Sequence, residues 1–487
     1  MARQGEEQVL GKVARQLYIG GQWRDAASGS TLRVEDPATQ ETLCEIASAK
    51  PEDGAAALDA ACAAQDSWRE VPPRERGEIL RRAYEVIMDR RDELALLMTL
   101  EMGKAVKESL GEVTYAADFF RWFAEEAVRI SGRFSRDPGG NGRMLTLRQP
   151  VGPCLLITPW NFPLAMGTRK IGPAVAAGCT MVMKPASATP LSMLALTQIL
   201  EEVGLPPGVL NTIPSSDSEA VMGPLIADSR VRKLSFTGST PVGRKLMEQS
   251  AGTLLRLSME LGGNAPFLVF DDADLDAAIE GAMLAKMRNM GEACTAANRF
   301  HVADSVCGEF TERLAERMGA LKLGRGTDDG VDVGPLIDDN QRGKITKLVA
   351  DAVGKGARVA VGGSKPDGRG YFYEPTVLAD VPEDAELFRE EIFGPVAPVM
   401  PFATEEEALH WANNSEYGLV AYVYTRDFKR ALRVVEGLEF GMVGLNRGLV
   451  SNTAAPFGGV KQSGFGREDG PEGIEEYLST KYVAIDL

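Results

Sequence analysis

A cysteine, a glutamate and a shortage of histidine define the chemistry open to this chain. Cys294 stands among small residues in Gly291-Glu292-Ala293-Cys294-Thr295, after a helical stretch that ends near Arg288. A thiol placed there is either accessible and reactive or, as most cysteines are, buried and inert. Glu260 lies between apolar neighbours in Met259-Glu260-Leu261-Gly262-Gly263, at a strand end where a carboxylate costs free energy to bury unless chemistry requires it. Only His301 and His410 occur among 487 residues. A Ser-His-Asp or Cys-His pair would need one of them, and a multi-histidine metal cluster cannot be built, so no metal site is expected. A thiol and a carboxylate are then the natural nucleophile and base.

Three further segments lie where strands give way to loops. Thr158-Pro159-Trp160-Asn161-Phe162-Pro163 follows a strand, and in a doubly wound sheet the strand C-termini border the ligand crevice. The Asn161 carboxamide can donate there to a developing oxyanion, or it can cap the next helix; local sequence alone favours the cap. Met183-Lys184-Pro185-Ala186-Ser187 pairs a lysine with a hydroxyl, a combination able to hold a phosphate monoester, with a solvated lysine as the plain alternative. Phe236-Thr237-Gly238-Ser239-Thr240-Pro241-Val242-Gly243 passes from strand through a glycine turn into a helix whose first amides can hold a pyrophosphate. It matches neither GxGxxG nor a P-loop, and a structural turn is an equal reading. Arg169 and Arg288 sit in otherwise apolar company, one shortly after Asn161 and one shortly before Cys294. They are ordinary helix-surface residues, or they line one approach and bind an anionic substrate bidentately through a carboxylate.

Positioning these residues calls for an α/β fold. From about residue 149, short apolar runs alternate with helical patterns, the rhythm of βαβ units and a parallel sheet. Strands are expected over 154–158, 180–184, 209–213 and 233–236, with helices over 163–177, 189–203 and roughly 241–250; Gly178 is the residue type that ends a helix. After the flexible Leu261-Gly262-Gly263-Asn264 a second series begins, with strands at 267–270 and 300–302 and helices at 275–288 and 305–320. Residues 132–148 form a hairpin candidate around a Gly/Asn turn, and the strand-like tail 477–487 needs a sheet edge to join. The expected organisation is a Rossmann-like dinucleotide-binding domain (17–130 and 149–259), an oligomerisation hairpin and tail (131–148 and 468–487), a catalytic α/β domain (260–440), and a return to the cofactor domain and substrate mouth (441–467).

Composition excludes other functions. The formal net charge is −16, from 69 acidic and 53 basic residues, and no basic run stands out, which argues against nucleic-acid binding. A small anionic ligand remains open, since a few local cations can reverse the field of one cleft. Six cysteines without CxxC spacing give no disulfide scaffold or zinc knuckle, and point to reduced thiols and a cytoplasmic location. The N-terminal segment lacks an apolar core and no run of 18 apolar residues occurs, so neither a signal peptide nor a membrane span is expected.

Several of these segments, in this order, resemble the aldehyde dehydrogenase superfamily: Pro159-Trp160-Asn161-Phe162-Pro163, Phe236-Thr237-Gly238-Ser239-Thr240, Met259-Glu260-Leu261-Gly262-Gly263, Cys294 in its loop, Glu390-Glu391-Ile392-Phe393-Gly394-Pro395 and Pro456-Phe457-Gly458-Gly459. The resemblance runs from about Tyr18 to the C-terminus and is strongest to the succinate-semialdehyde branch. It implies that Cys294 attacks the aldehyde carbon, that Asn161 and the Cys294 amide hold the oxyanion, and that Glu260 activates water to hydrolyse a thioester. It places Trp160 and Ser239, with Gly238 and Gly243, on the pyrophosphate side and Glu391 and Phe393 near the nicotinamide ribose. Ser187 stands where many NAD-preferring relatives carry glutamate; beside Lys184 it accommodates a 2′-phosphate, so NADP+ is expected and NAD+ remains admissible. Arg169 and Arg288 match arginines that hold a substrate carboxylate, with Ser451 their hydroxyl partner. The implied reaction is oxidation of succinate semialdehyde to succinate by a homodimer or homotetramer, with glutarate semialdehyde, or a non-catalytic role on the same fold, as alternatives. Three departures stand out: Glu292 where glutamine is common, able to raise the thiol pKa if it faces inward; Arg447 where a smaller residue is usual; and Ala296 where some relatives carry a second cysteine.

Overall fold

Runs such as Cys154–Ile157 (CLLI) and Met181–Lys184 (MVMK) are buried on both faces, which is what a central parallel strand demands of its sequence. The computed structural model describes residues 2–486, so Leu487, the last residue of the expected tail, lies outside them. An eight-stranded sheet has the order Gln22–Arg24, Leu17–Ile19, Leu210–Thr212, Met181–Lys184, Cys154–Ile157, Lys233–Thr237, Arg256–Glu260, Gly464–Phe465. Its five central strands are parallel. Successive strands depart in opposite directions from Cys154–Ile157, so the topological switch point falls between that strand and Lys233–Thr237, where an open α/β sheet forms its ligand crevice. Helix Ala165–Ala177 leaves the crevice and ends at Gly178, whose φ of 88° reverses the chain before the next strand.

Strand Arg256–Glu260 closes this sheet and, after residues 261–264, Ala265–Val269 opens a second one. The second sheet has seven strands in the order Arg358–Val361, Thr376–Ala379, Val396–Phe402, Ala297–Ala303, Ala265–Val269, Val420–Tyr424, Met442–Leu445. All neighbours are parallel except the first pair. Its core is a cluster of rings in which Phe267 lies 5.0–6.4 Å from Phe300, Phe310, Tyr422 and Tyr424. A third sheet joins hairpin Arg133–Arg136 and Gly142–Pro150 to the C-terminal strand Leu478–Asp486, leaving Phe134 and Tyr482 65% and 60% exposed.

Two expected boundaries shift. Met442–Leu445 still pairs with Val420–Tyr424, so the chain leaves the second sheet after residue 445 rather than at 441, and rejoins the first only where Gly464–Phe465 pairs with Met259 and Glu260. In the expected tail, only Leu478–Asp486 belongs to the third sheet. Glu468 and Asp469 are buried against Lys170 and Arg169 on helix Ala165–Ala177, because their carboxylates pair with those cations. Replacing Phe267 with Ala is expected to cost about 3–5 kcal/mol through the cavity left among the rings. Calorimetry would show this as a lower unfolding temperature, and an unchanged transition would mean that the ring cluster does not stabilise the second sheet.

Candidate active site

A cavity of about 600 Å³ runs from the switch point to the loop bearing Cys294. Its walls include Cys294, Trp160 and Asn161; Lys184, Ser187, Gly238, Ser239, Glu391 and Phe393; and Arg169, Arg288 and Ser451. Glu260 and Gly243 stand outside the lining. Gly243 has a packing role instead: a Cβ there would lie 2.4 Å from the Leu261 side chain, so only glycine lets the helix Thr240–Ala251 sit this close. His301 is buried in strand Ala297–Ala303 with neither ring nitrogen bonded, and burial pushes it well below the ordinary imidazole value; neither histidine lines the cavity.

The loop that carries the thiol is bent by three consecutive left-handed residues, Asn289 (φ 53°), Met290 (φ 59°) and Gly291 (φ 77°). For the two non-glycines this conformation costs of order 1–3 kcal/mol each and persists only because the surroundings hold it. The bonds that hold it are specific. The Asn289 carboxamide donates to the carbonyls of Asn161 (3.0 Å) and Glu292 (2.8 Å), and the Asn161 carboxamide donates to the same Glu292 carbonyl at 2.9 Å. Buried Lys104 donates to the Asn161 carbonyl at 2.7 Å and to Glu112 at 2.5 Å, and Glu112 accepts from the amides of Leu164 and Ala165. Glu112 therefore takes the first amides of the helix, and Asn161 is not its cap.

Electrostatics hold the thiol protonated. Burial, then Glu391, push Cys294 up to about 12, with Glu260 adding to the rise and Arg169 and Arg288 opposing it. Glu260 is buried and neither carboxyl oxygen is bonded. Burial, then the neighbouring Glu468, raise its carboxyl well above the usual range, while Lys170, Arg169 and Arg467 pull it down. Lys170 and Glu468 themselves form a buried pair at 2.5 Å. A reactive thiol thus needs a proton acceptor, and Glu260, near enough to raise the thiol and with neither carboxyl oxygen bonded, can serve once it is itself ionised.

The groove beyond Trp160 suits a dinucleotide. Lys184 is 5% exposed on the cavity wall and pairs with no carboxylate among the described residues; burial alone pushes it down to about 8. A buried, unpaired cation is destabilising until an anion or hydroxyl meets it, and Ser187 lies in the same wall. Ser239, in the cavity wall, precedes helix Thr240–Ala251, so a helix N-terminus of the kind that attracts anions begins at the cavity. Toward Cys294, Glu391 accepts from the Gly263 amide at 3.0 Å, Gln341 holds the Phe393 carbonyl at 2.6 Å, and the Phe393 ring meets Trp160 edge-on at 5.4 Å.

The two arginines differ. Arg288 donates to Ser451 at 3.2 Å, lies over Phe162 (5.1 Å) and Tyr115 (5.5 Å), and pairs with no acid among the described residues. Arg169 is 2% exposed and already engaged by Asp469 and the Tyr115 hydroxyl. Glu292 turns away from the thiol: its carboxylate accepts from the Ile337 amide at 3.2 Å, and it is its carbonyl that serves the site. Arg447 is exposed on the rim of a second cleft and does not line the cavity. Sequence reasoning missed Lys104, Asn289, Tyr115 and Asp469. Apolar context could have flagged Lys104, which follows the helix Arg91–Met102 between Gly103 and Ala105; nothing local marks Asn289.

Lys104→Met should destabilise the protein by about 3–5 kcal/mol, because it leaves Glu112 buried and unpaired. In Lys104→Met/Glu112→Gln the amide still accepts from Leu164 and Ala165, so stability should recover while kcat stays about tenfold low, the size expected for one lost charge-assisted hydrogen bond. Thermal melts and steady-state rates of both variants check this; a double variant with full kcat would show that Lys104 does not position Asn161.

A model described as the aldehyde dehydrogenase family matches residues 23–483. Succinate-semialdehyde dehydrogenase of Paenarthrobacter nicotinovorans is 61% identical over 443 residues, 91% of this chain and 98% of that protein. Glutarate-semialdehyde dehydrogenase of Pseudomonas putida and succinate-semialdehyde dehydrogenase [NADP(+)] of Escherichia coli are each 49% identical over 473 residues, 97% of this chain and 98% of theirs. The crystal structure of succinate-semialdehyde dehydrogenase from Burkholderia pseudomallei superposes with a TM-score of 0.96 at 49% identity, over 98% of both chains. With the family model spanning nearly its whole length and a mixed α/β fold of parallel sheets to match, this chain belongs to the aldehyde dehydrogenase family.

Proposed function

We propose that this enzyme oxidises succinate semialdehyde to succinate with NADP+. The observation that carries the substrate is Arg288, a cation beside Ser451 and without an acidic partner among the described residues, in the same cavity as Cys294. Such a group is matched by a carboxylate on the substrate and by nothing on a neutral aldehyde. The relatives from Paenarthrobacter nicotinovorans and Escherichia coli support the reading by their names. The Pseudomonas putida relative favours glutarate semialdehyde as a second substrate, and one methylene is worth only about 1–3 kcal/mol of discrimination.

In this mechanism Cys294 gives up its proton to Glu260, directly or through water, and its sulfur bonds to the aldehyde carbon. The carbonyl oxygen becomes an oxyanion held by the Asn161 carboxamide and the Cys294 amide, a preorganised donor pair of the kind worth about 2.7–4 kcal/mol per donor. A bound nicotinamide cofactor supplies the acceptor for the hydride that leaves this carbon. Cys294 is left as a thioester. Glu260 passes the thiol proton to solvent and, as a carboxylate again, takes a proton from water, whose oxygen bonds to the acyl carbon as the carbon–sulfur bond breaks, leaving the Cys294 thiolate, and succinate departs. Lys170 and Glu468 adjust the charge of Glu260 throughout. Lys184 and Ser187 would hold the 2′-phosphate, Ser239 with Gly238 the pyrophosphate, and Glu391 and Phe393 the nicotinamide ribose.

The eight-stranded sheet and its helices would form the cofactor domain, the seven-stranded sheet the catalytic domain, and the third sheet an interface between copies, since it exposes Phe134 and Tyr482. A homodimer or homotetramer in the cytoplasm accords with this, as all six cysteines are free.

Turnover should fall to background in Cys294→Ala, and full activity there would refute the thiohemiacetal route. Ser187→Glu should raise KM for NADP+ by about tenfold or more through like-charge repulsion while leaving NAD+ nearly unchanged. Equal effects on both cofactors, measured at saturating semialdehyde, would overturn the 2′-phosphate assignment. A steady-state comparison of succinate semialdehyde, glutarate semialdehyde and butanal tests the substrate; butanal as the best of the three would sink the carboxylate reading.

A further inference from the structure

We infer that Asp469 is a specificity-determining residue that occupies Arg169, so that Arg288 with Ser451 supplies most of the hold on the substrate carboxylate. The inference rests on the carboxylated-aldehyde reading and changes the expected roles of its two arginines.

The geometry is direct. One Asp469 oxygen accepts from the Arg169 Nη2 at 3.1 Å; the other lies 3.1 Å from Nε without a hydrogen bond to it, so the carboxylate takes Nη2 and stands beside Nε. The Tyr115 hydroxyl takes a further Nη2 hydrogen, and Glu468 stands 3.8 Å from Nε. On the open side Nη1 finds only the Met166 sulfur, at 3.8 Å. The guanidinium is also stacked 4.1 Å from the Phe457 ring and 5.1 Å from Phe119, which fixes its plane. An incoming carboxylate can therefore reach one nitrogen of Arg169 but not its bidentate face. Arg288 has no such competitor, and Ser451 already marks the neighbouring acceptor position.

The backbone shows that this aspartate is imposed on its position. Asp469 has φ 60° and ψ −180°, a region ordinarily kept for glycine, and its side chain is fully buried. A residue without a side chain would fit the turn better and free the Arg169 Nη2 hydrogen that Asp469 takes, leaving Glu468 at 3.8 Å from Nε as the nearest acid.

The neutralisation is graded by pH. Burial, with Glu468, pushes the Asp469 carboxyl up to about 8, against Arg169 and Lys170. The charged and titratable groups around the pair are Tyr115 from helix Val106–Glu126, Arg169 and Lys170 from helix Ala165–Ala177, Glu468 from its own segment, and Cys294. Above about pH 8 Asp469 is charged and cancels Arg169; below it the neutral carboxyl still accepts from Nη2, but the pair regains a positive charge that strengthens the field at the substrate carboxylate.

The test is the ratio of kcat/KM for succinate semialdehyde to that for butanal, a neutral aldehyde of the same length, at saturating NADP+. Taking the ratio cancels the titration of Cys294 and Glu260, which both substrates share. Asp469→Gly and the isosteric Asp469→Asn should each raise the ratio about tenfold at about pH 9, through a lower KM for the semialdehyde rather than a higher kcat. In the unaltered enzyme the ratio should fall as pH rises through about 8, and in both variants it should stay flat. A ratio that is unchanged, or that drops in both variants, overturns the inference; a drop would mean that Asp469 serves only to orient Arg169. Melting temperatures establish that each variant is folded, and Asp469→Asn carries the test if Asp469→Gly does not fold. Arg288→Ala separates this inference from the reading beneath it. If that variant keeps the preference for the semialdehyde, the carboxylate reading fails. If it loses the preference while the Asp469 variants leave the ratio unmoved, the Asp469 inference alone fails.

Discussion

The carbonyl oxygen of Asn161, buried and shared by Lys104 and the Asn289 carboxamide, ties together three parts of the chain at the site. Lys104 comes from the segment after helix Arg91–Met102, Asn161 from the first strand crossover of the eight-stranded sheet, and Asn289 from the end of helix Leu275–Met287 beside the second sheet. Because Asn161 and Asn289 also converge on the Glu292 carbonyl, the oxyanion donor and the nucleophile loop are fixed by the same bonds. The left-handed turn at 289–291 is held against its own strain by that arrangement, and Gly263 lets the junction strand pass, since a Cβ there would lie 2.4 Å from the Cys294 carbonyl. Rigid placement matters here because donors stabilise a transition state only if they need not reorganise as charge develops.

Charge is distributed to the same end. A chain with net charge −16 buries several cations, and some of them are matched by acids: Lys104 with Glu112, Lys170 with Glu468, Arg169 with Asp469, Lys233 with Glu476. Matched pairs give orientation at little net stability. Three cavity-wall cations have no acidic partner among the described residues: Lys184 in the wall that also carries Ser187, Arg288 beside Ser451, and Lys344, which donates to the Glu391 carbonyl. Net charge says nothing of this, because the field in a cleft is set by which few groups are left unpaired.

Much of this was readable in the sequence, and the parts that were not have a common cause. Buried apolar strands, the helix stop at Gly178 and the alternation of elements are local signals, so the α/β fold followed from them. Cys294 and Asn161 could be placed in one cavity because they stand at strand or helix ends, which the fold brings to the switch point. Gly243 and Glu292 carry local features of a ligand site, yet packing against Leu261 and a bond to the Ile337 amide assign them elsewhere. Asp469 and Lys104 act across 300 and 57 residues of chain respectively, and no local pattern encodes such a pairing. Arg169 reads in sequence as a helix-surface residue or a ligand of the substrate carboxylate, but its partner, and hence its availability, lies in the tertiary structure.

The account stands on a covalent sequence at Cys294 in which acylation precedes a hydrolysis that requires Glu260. Glu260→Gln mixed with succinate semialdehyde and NADP+, quenched in acid and analysed by intact-protein and peptide mass spectrometry, examines that sequence directly. The prediction is one equivalent of NADPH, formed more slowly than in the unaltered enzyme because thiol deprotonation is also impaired, with a succinyl group accumulating on Cys294 and still slower turnover thereafter. NADPH formation without an acyl group on Cys294, or an acyl group on another residue, would contradict it.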